Sequence, residues 1–146
     1  MKLTKDFTLS EFTYSEKAKK LGILNKPNDI HIQRLKTLCE KVLQPARDYF
    51  NVEFDEAFIK ITSGYRNRKL SEAVGSSTRS FHYFGFAADC ELYLKKNDVW
   101  VEDNKSLFHY IKNELPFTEL INEYDYSWIH VAYNPEDDRQ MVKIIK

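Results

Sequence analysis

The apolar residues of this chain change their spacing once, and that change limits the fold more than any other feature. Ile32, Leu35, Cys39, Val42, Ala46 and Tyr49 recur at alternating steps of three and four, which gathers them on one stripe of a helix. Pro45 falls inside the stripe, where a ring without an N–H kinks the helix or starts a new turn. From Phe58 the period drops to two. Phe58-Ile59-Lys60-Ile61-Thr62-Ser63 predicts a strand with Ile59 and Ile61 inward. Helices come first and strands later, with no regular βαβ alternation. The expected class is α+β, a mainly antiparallel sheet with helices packed on it.

Local signals fill in the order. Thr8 and Glu11 have the spacing of a capping box, Ser15 caps a second helix closed by Gly22, and Asn28 or Asp29 caps the long one. A short helix over 68–74 ends at Gly75, and a polar loop over 76–80 leads to a strand over 86–93. Residues 95–98 turn the chain, and Asp103 caps a helix carrying Leu107, Ile111 and Leu115. Three short strands are predicted over 117–121, 128–133 and 141–145. No repeat or linker interrupts the pattern, so residues 1–146 read as a single domain.

Composition narrows the function. Lys and Arg number 22, as do Asp and Glu, so no basic face is on offer for nucleic acid. No apolar run approaches the roughly 18 residues of a membrane span, and the start of the chain lacks the apolar core of a secretory signal. Synthesis in the cytoplasm without a signal peptide is the expectation. Cys39 and Cys90 form no CxxC pair and read as small buried hydrophobes.

Four histidines remain to be weighed. His31 lies beside Asp29 near a helix start and His109 on the polar side of an amphipathic helix; both are expected to be solvated. His82 and His130 are different. In Phe86-Ala87-Ala88-Asp89-Cys90-Glu91-Leu92, parity puts Ala87, Asp89 and Glu91 on one face of a strand and the apolar residues on the other. A carboxylate in that setting needs a cation, a donor cluster or open solvent. His130 shares a strand face with Trp128 and Ala132. Two histidines and an aspartate, each from a strand or its approach, can make a His₂-carboxylate zinc site with a fourth position open to water. The competing reading is a pair of ordinary core or surface histidines.

Ser80-x-His82-x-x-Gly85-x-Ala87-x-Asp89 resembles the signature of the zinc D-alanyl-D-alanine peptidases, which share the Hedgehog/DD-peptidase fold with phage L-alanyl-D-glutamate endolysins. Phe7-Thr8-Leu9-Ser10-Glu11-Phe12 is similar to the family's opening, and residues 42–48 to its helix. Ile61-Thr62-Ser63-Gly64-Tyr65-Arg66 resembles its SGYR strand end, and Trp128-Ile129-His130-Val131 its last ligand strand. The matches come in the family's order. The resemblance implies Zn²⁺ held by His82, Asp89 and His130, with the zinc site at the sheet. It implies that Arg66 steadies the substrate carbonyl or tetrahedral intermediate, and that Ser80 orients a ligand or substrate group. For Arg66 the alternative is a surface residue with a local partner, and for Ser80 a loop cap. Gly85 would allow close passage at the metal or a turn of positive φ.

The pattern breaks at one place. Family enzymes commonly carry Glu or Asp three residues before the last His as general base, and Ser127 stands there. A hydroxyl cannot take a proton from water near neutral pH as a carboxylate can. Leu120-Ile121-Asn122-Glu123 is similar to a family segment whose Glu ends a strand beside the site, so Glu123 is favoured over Asp125 as base. Both could instead be solvated loop carboxylates. The implied function is a zinc metallopeptidase of bacterial cell-wall peptides, a D-Ala-D-Ala carboxypeptidase or an L-Ala-D-Glu endopeptidase. Its partners would be peptidoglycan stem peptides, and it would act as a monomer, reaching the wall after lysis, holin release or virion delivery. The alternative is a non-catalytic zinc-containing peptidoglycan-binding or phage structural module on the same fold.

Overall fold

The computed structural model describes all 146 residues. A short antiparallel pair, β1 (Lys2–Thr4) and β2 (Phe7–Thr8), leads into α1 (Leu9–Thr13). Glu11 Oε2 accepts from the Thr8 N–H at 2.7 Å, as the capping box requires. α2 (Glu16–Leu21) begins at Ser15, whose hydroxyl accepts from the Ala18 N–H, and ends on Gly22 in the left-handed region at φ 66°. Asn28, rather than Asp29, caps α3 (Asp29–Leu38).

The long helical stripe is where the sequence expectation needs revision. α3 runs through a π-helical turn, Cys39–Leu43, into α4 (Gln44–Glu53), with Pro45 in the first turn of α4. The Gln44 N–H bonds Cys39 O across that wide turn. Pro45 has no N–H to donate, and the wide turn absorbs the missing rung without ending the helix. The extra residue rotates α4 relative to α3. Ala46 and Phe50 enter the core, while Tyr49 turns outward and stacks on Tyr110 at 4.0 Å between centroids.

The rest of the chain builds the sheet and its cover: β3 (Glu56–Ser63), α5 (Arg68–Ala73), α6 (Phe81–Phe84), β4 (Ala87–Lys96), β5 (Val99–Glu102), α7 (Asn104–Glu114), β6 (Glu119–Glu123), β7 (Trp128–Ala132) and β8 (Met141–Ile145). The six-stranded sheet has the order β3-β4-β7-β6-β8, with β5 pairing β4. Every pair in it is antiparallel except β6 with β8. The α+β class with an antiparallel-rich sheet holds. Four elements go beyond the sequence expectation: the short pair β1 and β2, the single turn α6, inside a stretch read as the approach to a strand, and β5, which folds back after Asn97 and Asp98 at φ 51° and 63°. No helix is long and apolar enough to cross a membrane.

The sheet divides the molecule into two unlike faces. Ala88, Cys90, Leu92 and Leu94 of β4 have no solvent exposure and pack with Leu35, Leu38, Val42, Leu107 and Ile111 of the helices. Burial pushes both cysteine thiols well above their usual pKa, as expected of inert core residues. On the other face a cross-strand row runs Ser63, Asp89, His130, Ile121, Lys143 through β3, β4, β7, β6 and β8.

Candidate metal centre

Strand register brings the first two ligand candidates together. Asp89 and His130 are direct partners in the β4–β7 ladder, so their side chains rise side by side from one face. His82 arrives from above on α6, whose N-cap is Ser80. The Ser80 hydroxyl accepts from the His82 N–H at 3.1 Å, and Gly85 closes the turn at φ 83°. A side chain at Gly85 would also meet His31, its Cβ lying 3.1 Å from His31 Cα. Gly85 therefore serves the turn and the α3 contact.

Three donor atoms converge. His130 Nδ1 lies 3.0 Å from Asp89 Oδ1 and 3.2 Å from His82 Nε2, and His82 Nε2 lies 3.2 Å from Asp89 Oδ1. Neighbouring ligands of a tetrahedral zinc with bonds near 2.0–2.1 Å are about 3.3 Å apart, so the triangle has the right size for one ion. Its chemistry fits as well. His82 Nδ1 sits 2.8 Å from the carbonyl of Gly64, and His130 Nε2 sits 2.8 Å from Glu119 Oε1. Each outer nitrogen thus has an acceptor for its N–H, so the inner nitrogens are the ones a metal ion would take, displacing any proton they carry. Positive charge at that spot, from a metal ion or from a proton on an imidazole, is what lets two ring nitrogens and a carboxylate crowd together. His82 and His130 are buried and Asp89 nearly so. The group is able to hold a metal ion.

Electrostatics follow the packing. Burial alone raises the pKa of Asp89, but the two histidines outweigh it and hold the carboxyl far below the usual carboxylate range. Burial lowers His130, while its bonds to Asp89 and Glu119 more than compensate and raise it to about 9. Arg66 reaches the same cluster. Its Nη2 lies 3.6 Å from Asp89 Oδ2, its Nε donates to Ser63 Oγ at 3.2 Å and its Nη1 to Ser76 Oγ at 2.9 Å. The backbone is held too, with the Arg66 N–H on His82 O at 3.2 Å. The guanidinium is a fixed charge at the edge of the triad, within the pull of both Asp89 and Glu123.

The remaining expectations divide. Glu123 projects from the site face of β6, two positions from Ile121, and its Oε2 accepts from Trp128 Nε1 at 2.8 Å. Asp125 is exposed in a left-handed turn where Tyr124, Asp125 and Tyr126 have φ of 52°, 54° and 61°. Ser127 spends its hydroxyl closing that turn, donating to Tyr124 O at 2.6 Å. Ser80 faces an open cleft of about 560 Å³ that also meets Phe81, Glu119 and Arg139. A second cleft, about 420 Å³, opens on the other side along Tyr14, Ser63 and Arg66. His109 is exposed as expected. His31 is not simply solvated: it bonds Asn28 in a reciprocal cap and packs on Tyr65 at 4.5 Å between ring centroids.

Sequence reading missed Glu119, the Gly64 carbonyl and Asn104. The alternation Glu119-x-Ile121-x-Glu123 does put Glu119 on the face of Glu123, and that signal could have found it. Nothing local marks Gly64 O or Asn104. Asn104 accepts from the Leu92 N–H at 2.8 Å and donates to Tyr126 O at 2.8 Å, tying the turn after Glu123 to the centre of the sheet.

Comparison with known families adds an independent observation to this geometry. The family model for peptidase M15 matches residues 5–132. The chain belongs to the peptidase M15 family. Members are zinc peptidases acting on peptidoglycan peptides, which makes hydrolase and metallopeptidase the coarse assignment for this chain. No curated protein matches it. The family match takes in the triad, Arg66 and Glu123 and stops short of β8.

Proposed function

We propose that this chain is a zinc-dependent metallopeptidase that cuts peptides of the bacterial cell wall, of the D-Ala-D-Ala carboxypeptidase or L-Ala-D-Glu endopeptidase type. His82 Nε2, Asp89 Oδ1 and His130 Nδ1 are the ligands in this reading. The observation that carries it is the triangle of His82 Nε2, Asp89 Oδ1 and His130 Nδ1, with sides of 3.0–3.2 Å, and the Arg66 guanidinium at its edge.

A zinc ion held by His82, Asp89 and His130 would supply Lewis acidity. The protein does the rest. A peptide lying between the two clefts passes over the triad, and Arg66 offers donors to the carbonyl oxygen as negative charge develops there. A pre-positioned guanidinium of this kind lowers a barrier because it need not reorganise. Glu123 takes the proton of the attacking water and returns it to the leaving amine. Trp128 Nε1 holds one carboxylate oxygen and leaves the other free for that exchange.

The test is direct. Zinc-loaded protein is incubated with purified peptidoglycan, and the muropeptides are read by mass spectrometry. New stem-peptide fragments identify the bond, and unchanged muropeptides across several wall types overturn the peptidase reading. The Ser127 hydroxyl, engaged in its turn, favours a second reading: a non-catalytic zinc-containing wall-binding or phage structural module. Activity that appears only in Ser127→Glu supports the module. Wild-type turnover that Glu123→Gln abolishes eliminates it.

A further inference from the structure

The outer partners of the two histidines are not alike. His82 leans on a backbone carbonyl, which no side-chain substitution removes. His130 leans on a side chain, Glu119, across the β6–β7 ladder. Glu119 is itself held from the next strand. Its Oε1 takes the His130 ring and its Oε2 faces Lys143 Nζ at 3.8 Å. Lys143 stands on β8, beyond the stretch that matches the family. The same strand pins the turn after Glu123, since the Tyr124 N–H donates to Ile145 O at 2.7 Å. β8 thus touches the site twice without carrying a ligand.

We infer that Glu119 is the positioning residue that makes His130 a ligand through Nδ1, and that β8, through Lys143, holds Glu119 in place. The inference rests on the metal-site reading above. An imidazole without an outer partner can rotate about its Cβ–Cγ bond and present either nitrogen. Accepting the Nε2–H fixes both the ring plane and the tautomer, so the Nδ1 lone pair stays on the line to Asp89 and His82. Glu119 can do this because each of its oxygens has a separate partner, which leaves the carboxylate one orientation. Lys143 is half-exposed, so its part is to restrain Glu119 and is the smaller of the two.

Zinc affinity and the cobalt spectrum test this. Purified full-length chains are stripped of metal, and Zn²⁺ affinity is measured by competition with a chromophoric chelator. Co²⁺ is then loaded and its visible d–d bands recorded. Loss of an outer partner typically costs 10–100-fold in metal affinity, and about that loss is expected for Glu119→Ala, with shifted cobalt bands. Glu119→Gln keeps an oxygen for the Nε2–H and should recover most of the affinity and the wild-type bands. Lys143→Met should weaken zinc by less than Glu119→Ala does. Melting of the metal-free proteins separates this from general damage: comparable melting with the affinity pattern above supports positioning. A wild-type chain that binds zinc, with Glu119→Ala matching it in affinity and spectrum, overturns the inference alone. A wild-type chain that takes up no zinc overturns it together with the metal-site reading. Unchanged affinity in Lys143→Met removes β8 from it.

Discussion

β4 shows two kinds of burial within one strand. Four of its even-numbered residues, Ala88, Cys90, Leu92 and Leu94, are apolar and fully enclosed, and any neighbour of the right volume satisfies them. Its odd-numbered residue Asp89 is also largely enclosed, yet every oxygen has a named partner: two histidines on Oδ1 and Arg66 on Oδ2. The first face derives its energy from area removed from water, which is non-directional. The second derives its function from direction. A shift of a few tenths of an ångström costs the core little, whereas it changes whether three donor atoms share one ion. Substitutions on the two faces should therefore separate stability from metal binding.

Mutations on each face test that separation. His130→Ala is expected to have the largest effect: no detectable turnover, and a zinc affinity lowered by more than about 100-fold, above the loss of an outer partner. Retained affinity in chelator competition would refute the ligand assignment. Glu123→Gln comes next, with kcat lowered by roughly 10²–10⁴-fold, the range for a general base, and zinc affinity unchanged. Parallel loss of zinc would make Glu123 a structural residue. Leu92→Ala tests the opposite face. It should destabilise the fold by about 2–5 kcal/mol, read by denaturant unfolding, while zinc affinity of the folded protein stays within a few-fold. Gly64→Ala is the substitution that should cross between faces, with the smallest of the expected losses of zinc affinity. A Cβ there would clash with the backbone oxygen of Phe12 and lie 2.7 Å from its Cα, so α1 or the strand end must move, at about 3 kcal/mol, the upper end of ordinary overpacking. The carbonyl of the same residue holds His82, so zinc affinity should fall too. A stability loss with unchanged zinc affinity would show that the Gly64 contact is dispensable for the metal.

Much of the fold was legible because it is written in local periods and caps. The parity of 86–92 placed Asp89 opposite Cys90 and Leu92, and the ladder agrees. Thr8, Ser15, Asn28 and Asp103 mark real helix starts. The stripe from Ile32 held through Ala46 and failed only at Tyr49, because the π-helical turn adds a residue that no period of 3.6 anticipates. β5 was missed for a different reason. Val99, Trp100 and Val101 are exposed on a hairpin, so alternation between an inner and an outer face has nothing to report.

Periodicity and parity set the class of the fold and the two faces of β4, because a strand sends alternate side chains to opposite sides whatever it pairs with. They offered His82, Asp89 and His130 as ligands beside a reading as ordinary histidines, and only the resemblance to the family's motifs joined those three with Arg66 into one set. Tertiary structure alone decided which atoms of that set meet. Pairing Asp89 with His130, laying α6 over both, and bringing Gly64 O and Glu119 to the outer nitrogens, with Lys143 behind Glu119, are results of register and packing between segments far apart in the chain. The physical reason is that hydrogen bonds and metal ligation depend on distance and angle at the scale of tenths of an ångström, and only the assembled sheet sets those.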